Sequence, residues 1–162
     1  NFKLPTVMTA QTKDILIYNN KELLIACEPL EGYLEKIQLP HKLVAPSTAC
    51  WRGYYSKWAI DNKKLFLIEW RGFILDWQKV GIDYLFPDEE FVFAKWFSGE
   101  IRVPMGEIVH NVHGGYQSIY EGKMFLEFVN GELVKEHIKW LTAEEIENIL
   151  EEEEKNKRES PF

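Results

Sequence analysis

The sequence predicts a mainly β domain followed by one C-terminal α-helix, and three observations support this prediction. Six Trp, seven Tyr and ten Phe enrich the chain in residues that favour strands. Short apolar runs alternate with turn-forming residues along residues 14–141. An acidic segment whose few apolar positions have helical spacing follows. We expect antiparallel hairpins or a meander, arranged as a sandwich or an open barrel, with an α+β fold as the near alternative.

Length and composition indicate one folded domain. With 162 residues, 46% of them hydrophobic, the chain can form one domain with a core but not two ordinary ones. We divide it into an N-terminal extension (residues 1–13), a β-rich domain (residues 14–141) and an acidic helix with its tail (residues 142–162). Met8 is a candidate native start, in which case residues 1–7 are an added segment.

The first predicted hairpin opens the β-rich domain. Residues 14–18 and 23–27 are apolar runs on either side of Asn19-Asn20-Lys21, a cluster that favours a turn. Residues 28–49 contain three prolines, whose fixed φ and missing N–H disfavour regular structure. We expect a loop there, with at most one helical turn at residues 33–37.

A second hairpin is predicted from residues 51–60 and 64–70, joined by Asp61-Asn62-Lys63. Its second strand is apolar on both alternating faces, which predicts a central strand covered on both sides. Arg71-Gly72 then predicts a bend or bulge before a short strand at residues 73–77.

A third hairpin is predicted from residues 91–97 and 100–103, which flank Ser98-Gly99. Pro104 cannot donate a backbone hydrogen bond, so we expect it to end the second strand. Residues 105–113 fit either a strand or a short helix.

The clearest turn signal is Asn130-Gly131, because this dipeptide between two apolar runs strongly favours a two-residue hairpin loop. The pairs expected from such a loop are Val129 with Glu132, Glu127 with Val134, and Phe125 with Glu136. These pairs would share one face with Ile138 and Trp140.

The C-terminal helix has a recognisable start and carries most of the charge. Thr142 and Glu145 form a capping box, and Leu141 and Ile146 occupy the positions of a hydrophobic staple. Residues 142–162 hold eight Glu against two Lys and one Arg, which accounts for −5 of the formal net charge of −7. The rest of the chain therefore carries only −2, so a broadly acidic surface is not expected.

Several classes of protein are disfavoured by this composition. Because no basic stripe is interleaved with the aromatic residues, we expect no nucleic acid partner. The chain lacks an apolar run of about 18 residues and a signal-peptide core, so we expect neither a membrane partner nor export. Cys27 and Cys50 are too few for a disulfide framework and are predicted to be reduced, small core residues in a cytoplasmic protein.

The candidate site lies in residues 98–121, where charged, aromatic and glycine residues are concentrated. Glu100 and Arg102 alternate on a predicted strand, so they form either an exposed ion pair or a site in which Arg102 binds an anion. His113 and Tyr116 follow as candidate binding residues. Trp51 and Arg52 are also candidates, either for binding or for packing of the arginine against the tryptophan.

Two further patterns could carry chemistry. Glu107, His110 and His113 are spaced three apart and could bind a metal from a helix, whereas ordinary surface or core histidines are the alternative that we favour. Glu127 and Glu136 would lie diagonally on one face of a hairpin, either as an acid–base pair or as solvated side chains. No serine hydrolase, phosphate-loop, dinucleotide or C-x-x-C motif is present, and no cofactor is predicted.

The chain resembles a group of small bacterial proteins without an assigned activity. The resemblance covers residues 8–134 and rests on three segments of the sequence: Trp51-Arg52-Gly53-Tyr54, Trp96-Phe97-Ser98-Gly99-Glu100-Ile101-Arg102-Val103-Pro104, and His113-Gly114-Gly115-Tyr116 with Tyr120-Glu121. It implies a bacterial, cytoplasmic setting and contributes no catalytic residues. In that group the position of His110 need not be histidine, which argues against the metal site.

Two functions are consistent with these features. The first is a small cytosolic interaction protein, of immunity or antidote type and without catalytic activity, because abundant Trp and Tyr suit protein interfaces. The alternative is a small β-rich enzyme or ligand-binding protein with a pocket around Arg102, His113 and Tyr116. The expected partner is accordingly a protein or a small ligand.

Overall fold

The computed structural model describes residues 11–110 and 118–159. This part of the chain is mainly β, as predicted, and ends in one long helix. The strands are β1 (Asp14–Tyr18), β2 (Lys21–Ile25), β3 (Tyr54–Asp61), β4 (Lys64–Ile74), β5 (Gln78–Val80), β6 (Val92–Phe93), β7 (Gly99–His110), β8 (Ile119–Val129) and β9 (Glu132–Trp140). The helices are α1 (Glu31–Leu34), α2 (Ile82–Leu85) and α3 (Ala143–Glu159), and a 3-10 turn covers Leu75–Trp77.

The strands form one mixed sheet in the order β2-β1-β3-β4-β9-β8-β7, with β5 and β6 pairing to β4. β1 and β3 are parallel, and the other pairs in the described part of the chain are antiparallel. β9 pairs with β4 only through Glu132 and Lys64, so the sheet divides beyond that point. β2 also packs near β7, which brings the two ends of the strand order together.

Three tight turns account for the hairpins that were predicted correctly. Both central residues have positive φ in each turn, the type I′ geometry that suits the twist of paired strands. These residues are Asn19 and Asn20 (52° and 62°), Asn62 and Lys63 (50° and 62°), and Asn130 and Gly131 (49° and 81°).

The predicted register of the β8–β9 hairpin is wrong beyond its first pair. Val129 pairs with Glu132 as expected, but a bulge at Val134 adds one residue to β9. Glu127 therefore pairs with Lys135, and Glu136 lies opposite Leu126. Because adjacent strand residues point to opposite faces, Glu127 and Glu136 do not share a face and cannot form the suggested acid–base pair.

The bulge also corrects the face assigned to the end of β9. Phe125 pairs with His137 and not with Glu136. Ile138 and Trp140 lie opposite Met124 and Gly122, on the other side of the sheet from Phe125.

β4 is a single strand, and the predicted bend at Arg71-Gly72 is wrong. Arg71 and Gly72 pair in register with Tyr55 and Tyr54 of β3. Gly72 is needed for packing, since a Cβ there would lie 2.3 Å from Cη2 of Trp70. The strand is central in the sheet, as predicted, but it is not fully covered on both sides: Leu65 and Leu67 are completely buried, whereas Phe66 and Ile68 on the other face are half-buried.

The hairpin predicted over Ser98-Gly99 does not form. Phe97 N donates to Ala94 O in a local turn, and Gly131 N donates to Phe97 O, so this segment packs against the β8–β9 turn. The Trp96 ring turns towards the core, where it contacts Trp58 and donates from Nε1 to Pro29 O at 2.9 Å. The aromatic run is therefore core packing rather than one strand of a hairpin.

Pro104 does not end β7, which continues to His110. Pro104 lies opposite Lys123 on an edge strand, where a missing N–H is tolerated. Residues 105–110 are therefore strand, interrupted by register shifts that accompany a positive φ of 77° at Gly106. Residues 111–113 lie outside the described residues.

α3 begins at the predicted capping box and packs on β7. Thr142 Oγ1 accepts from Glu145 N at 3.1 Å, and Glu145 Oε1 accepts from Thr142 N at 3.2 Å. His110 Nδ1 of β7 lies 3.0 Å from Glu153 Oε2 of α3, and this contact lowers the pKa of Glu153. No helix in residues 11–110 and 118–159 is long and apolar enough to cross a membrane.

Candidate functional site

A cavity of about 640 Å³ lies where the β1–β2 hairpin meets β7 and β8. Its volume falls within the range of about 300–1,000 Å³ usual for small-molecule sites. The first group of lining residues comes from the segment that leads into β1, the segment that leaves β2 and the loop before β3: Gln11, Thr12, Lys13, Asp14, Ile25, Ala26, Cys27, Glu28 and Arg52. The second group comes from β7, β8, β9 and the start of the C-terminal segment: Arg102, Pro104, Ser118, Ile119, Tyr120, Gly122, Lys123, Phe125, Lys139 and Leu141.

A buried ion pair between Asp14 and Arg52 forms one wall of the cavity. The Asp14 side chain is fully buried, and its Oδ1 accepts from Arg52 Nη2. Trp58 Nε1 donates to the other carboxylate oxygen at 2.8 Å. Both oxygens of Asp14 are therefore engaged by donors from the core.

Arg52 is held by several further contacts. Its Nε donates to Tyr54 O at 2.9 Å, and its guanidinium lies 4.3 Å from the centre of the Tyr54 ring. Nη1 is buried and lies 3.3 Å from Glu28 Oε1, without hydrogen-bond geometry. Tyr54 in turn donates from its hydroxyl to Glu31 Oε1 at 2.6 Å. These contacts fix the orientation of the guanidinium.

Burial is the largest influence on the pKa values of Asp14 and Cys27 in this wall. It raises the pKa of Asp14 above its ordinary value, although Arg52 and the hydrogen bond from Trp58 oppose the shift. Burial, followed by the nearby Asp14 carboxylate, raises the pKa of the Cys27 thiol to about 12. The thiol of Cys27 is therefore protonated at neutral pH.

The cavity lining is basic although the chain as a whole is acidic. Five basic residues line it, against only Asp14 and Glu28 on the acidic side: Lys13, Arg52, Arg102, Lys123 and Lys139. Lys123 and Lys139 are directly opposite each other on β8 and β9, so their side chains share one face. Neither has a carboxylate of a described residue within ion-pair distance.

A second row of side chains runs beside the two lysines. Arg102, Phe125 and His137 are paired across β7, β8 and β9. The His137 ring stacks on Phe125 with centroids 4.7 Å apart, and the Arg102 guanidinium lies 5.8 Å from the Phe125 ring centre. Phe125 thus contacts a basic residue of the cavity lining, Arg102, and the aromatic ring of His137, which lies outside the lining.

Of the predicted site residues, Arg52 and Arg102 meet at the cavity, although 50 positions separate them in the sequence. Glu100 lies outside the lining and binds Arg102 at 2.8 Å, which confirms the exposed ion pair. Trp51 is partly exposed and also lies outside the lining; its backbone N donates to Gln11 Oε1 at 2.8 Å. His113 and Tyr116 lie outside the described residues.

The suggested metal ligands make other contacts. Glu107 uses its backbone N to donate to Glu121 Oε2 at 3.2 Å, whereas His110 contacts Glu153. Residues 11–110 and 118–159 contain no group of three His, Cys, Asp or Glu side chains arranged to hold a metal ion. His113 lies outside these ranges.

The sequence reasoning missed Asp14, Lys123 and Lys139 as site residues. Asp14 begins an otherwise apolar strand, and a carboxylate at such a position could have suggested a buried charge that needs a partner. Placing Lys123 opposite Lys139 required the β8–β9 register, which the bulge at Val134 changes.

Comparison with protein-family models, curated proteins and solved structures finds no match to the chain.

Proposed function

We propose that this chain binds a small organic anion in the cavity between the β1–β2 hairpin and β7–β8. The observation that carries the proposal is the excess of basic over acidic lining residues in a chain whose residues 1–141 carry a net charge of −2. A concave site lined by one sign of charge concentrates ligands of the opposite charge.

The lining also favours a ligand with an apolar part. Apolar and aromatic side chains lie between the basic residues: Ile25, Pro104, Ile119, Tyr120, Phe125 and Leu141. A mostly apolar pocket with a few fixed polar groups is typical of small-molecule sites. The ligand class is therefore an amphipathic acid rather than a bare inorganic ion.

Binding fits this site better than catalysis. The Cys27 thiol has a pKa of about 12 and is therefore a poor nucleophile at neutral pH. Both Asp14 oxygens already accept hydrogen bonds, from Arg52 and Trp58, so this carboxylate is not free to act as a general base.

Calorimetric titration with pairs of organic acids and their neutral amides tests the proposal. We expect the acids to bind and the amides to bind at least about tenfold more weakly, because a charged hydrogen bond contributes about 1.5–3 kcal/mol. Arg102→Gln should weaken binding of the acids by about tenfold for the same reason.

Arg71→Gln is the matched control, because Arg71 is exposed on β4 and lies outside the cavity. Equal binding of acids and amides would contradict the proposal. So would an equal loss of affinity in the Arg71→Gln and Arg102→Gln variants.

A second candidate is the interaction protein of immunity or antidote type. It is favoured by the turn at Leu75–Trp77, in which the Leu75 and Trp77 side chains are 69% and 65% exposed. A tryptophan that protrudes in this way is a common anchor of protein interfaces.

For either function we propose a cytoplasmic location. Cys27 and Cys50 are both free thiols, as expected in a reducing compartment.

A further inference from the structure

The pairing of Lys123 on β8 with Lys139 on β9 is electrostatically unfavourable in the absence of a bound anion. Lys123 and Lys139 are directly opposite each other in an antiparallel pair, where side chains lie about 4.5–5.5 Å apart at Cβ. Like charges in this position repel and destabilise the pairing. Four residues further towards the turn, Glu127 lies opposite Lys135, so the two strands present unlike charges there.

Three other basic residues beside the sheet have carboxylate partners, whereas Lys64, Arg71 and Lys135 on the strands have none among the described residues. Arg52 is paired with Asp14, Lys57 lies 3.2 Å from Glu22, and Arg102 lies 2.8 Å from Glu100. Lys123 and Lys139 line the cavity without such a partner among the described residues. Their charges are therefore available to a ligand.

We propose that Lys123 and Lys139 together bind the phosphate group of a small phosphate monoester, an assignment that rests on the proposed anion-binding function. A phosphate monoester carries a charge of about −1.5 to −2 at pH 7, which matches two ammonium groups. Lysine binds phosphate oxygens as a point charge, and the fork of arginine suits carboxylate and phosphate alike, so it is the double charge of the monoester that favours the lysine pair.

The neighbouring lining fits the organic part of such an ester. Pro104 lies directly opposite Lys123 on β7, and Phe125 follows two residues later on β8. Both residues line the cavity, as do Ile119 and Leu141. A phosphate held by the two lysines would thus place its organic group against an apolar wall.

Titration at pH 7.5 with phenyl phosphate, phenyl sulfate, benzoate and inorganic phosphate tests the assignment. Phenyl sulfate has a similar shape to phenyl phosphate but a single charge. We expect phenyl phosphate to bind at least about tenfold more tightly than phenyl sulfate and benzoate, because it engages both lysines. Inorganic phosphate should bind more weakly than phenyl phosphate, because it lacks the apolar group.

Variants identify the residues responsible. Lys123→Gln and Lys139→Gln should each lower the affinity for phenyl phosphate by about tenfold. Lys135→Gln is the matched control, because it removes a lysine from β9 that lies outside the cavity lining.

The outcomes separate the two proposals. If phenyl sulfate or benzoate binds as tightly as phenyl phosphate and Arg102→Gln weakens that binding, anion binding stands and the phosphate assignment is overturned. If none of the four probes binds, both proposals are overturned. An equal loss of affinity in Lys135→Gln would also overturn the assignment, since it would reflect overall charge rather than the lysine pair.

Discussion

At the scale of single residues, the most unusual backbone conformation occurs in the 3-10 turn. Asp76 and Trp77 have φ values of 60° and 54°. A left-handed conformation costs a residue with a side chain about 1–2 kcal/mol, and it is rare for a bulky residue such as tryptophan. Trp77 gains little packing in return, since its side chain is 65% exposed; its Nε1 donates to Ala45 O at 3.2 Å. Such strain at an exposed side chain is typical of functional sites.

The interaction hypothesis predicts that Leu75→Ser/Trp77→Ser loses a protein partner while the fold is retained. Affinity capture from lysate of the native source should recover that partner with the unaltered chain but not with the double variant. Leu24→Ser is the matched control, because Leu24 is a similarly exposed leucine on β2. Recovery of the same proteins with both variants would contradict an interface at this turn. Urea unfolding should detect only a small loss of stability, about 1 kcal/mol, from the lost hydrogen bond.

At the scale of secondary-structure elements, the three turns with two successive positive φ values were predictable, whereas the bulge in β9 and the lack of a hairpin at Ser98-Gly99 were not. Asn130-Gly131 identifies its hairpin because only a few residue types accept two successive positive φ values. The bulge at Val134 has no comparable local signal in the sequence. For the same reason the sequence predicted β8 and β9 but misplaced the faces of Ile138 and Trp140. The capping box of α3 was correct because it is a purely local interaction.

Gly131→Ala should destabilise the protein by about 1–2 kcal/mol or more. Gly131 has a φ of 81°, and an added Cβ would lie 2.5 Å from Ala94 O. Gly32→Ala is the control, because an added Cβ in α1 meets no atom within 4 Å and alanine favours the helix by about 1 kcal/mol. Urea unfolding of the two variants gives the comparison. Equal stability of the two would show that the turn geometry does not constrain residue 131.

At the scale of the whole molecule, the site consists of residues far apart in the sequence. Arg52 and Arg102 could be nominated from local patterns, but their convergence on one cavity depends on β2 packing near β7. Composition gave an acidic chain, whereas the fold gathers basic side chains around one concave surface. Sequence reasoning could not predict this, because it follows from long-range strand order and not from any segment.

The buried wall of the cavity connects distant segments as well. Asp14 joins β1 to Trp58 of β3, 44 residues later, and to Arg52 in the loop between them. Arg52→Met should therefore destabilise the whole domain by about 3–5 kcal/mol, because it leaves a buried carboxylate without its counter-charge. Asp14→Asn/Arg52→Met removes both charges and should be less destabilising than the sum of the two single variants.

The pH dependence of these variants provides the sharper test. Because the pKa of Asp14 is raised in the folded protein, its contribution to stability is fully present below its ordinary pKa of 3.8 and is lost as the pH rises through the folded pKa. Arg52 lowers that pKa, so Arg52→Met should raise it further and make stability fall over a wider pH range. The double variant has no carboxyl at this position and should lack this component. Urea unfolding between pH 4 and pH 8 would measure how the free energy of unfolding changes with pH in the unaltered protein, in Arg52→Met and in the double variant. If Arg52→Met has the same pH dependence as the unaltered protein, Arg52 does not control the ionisation of Asp14.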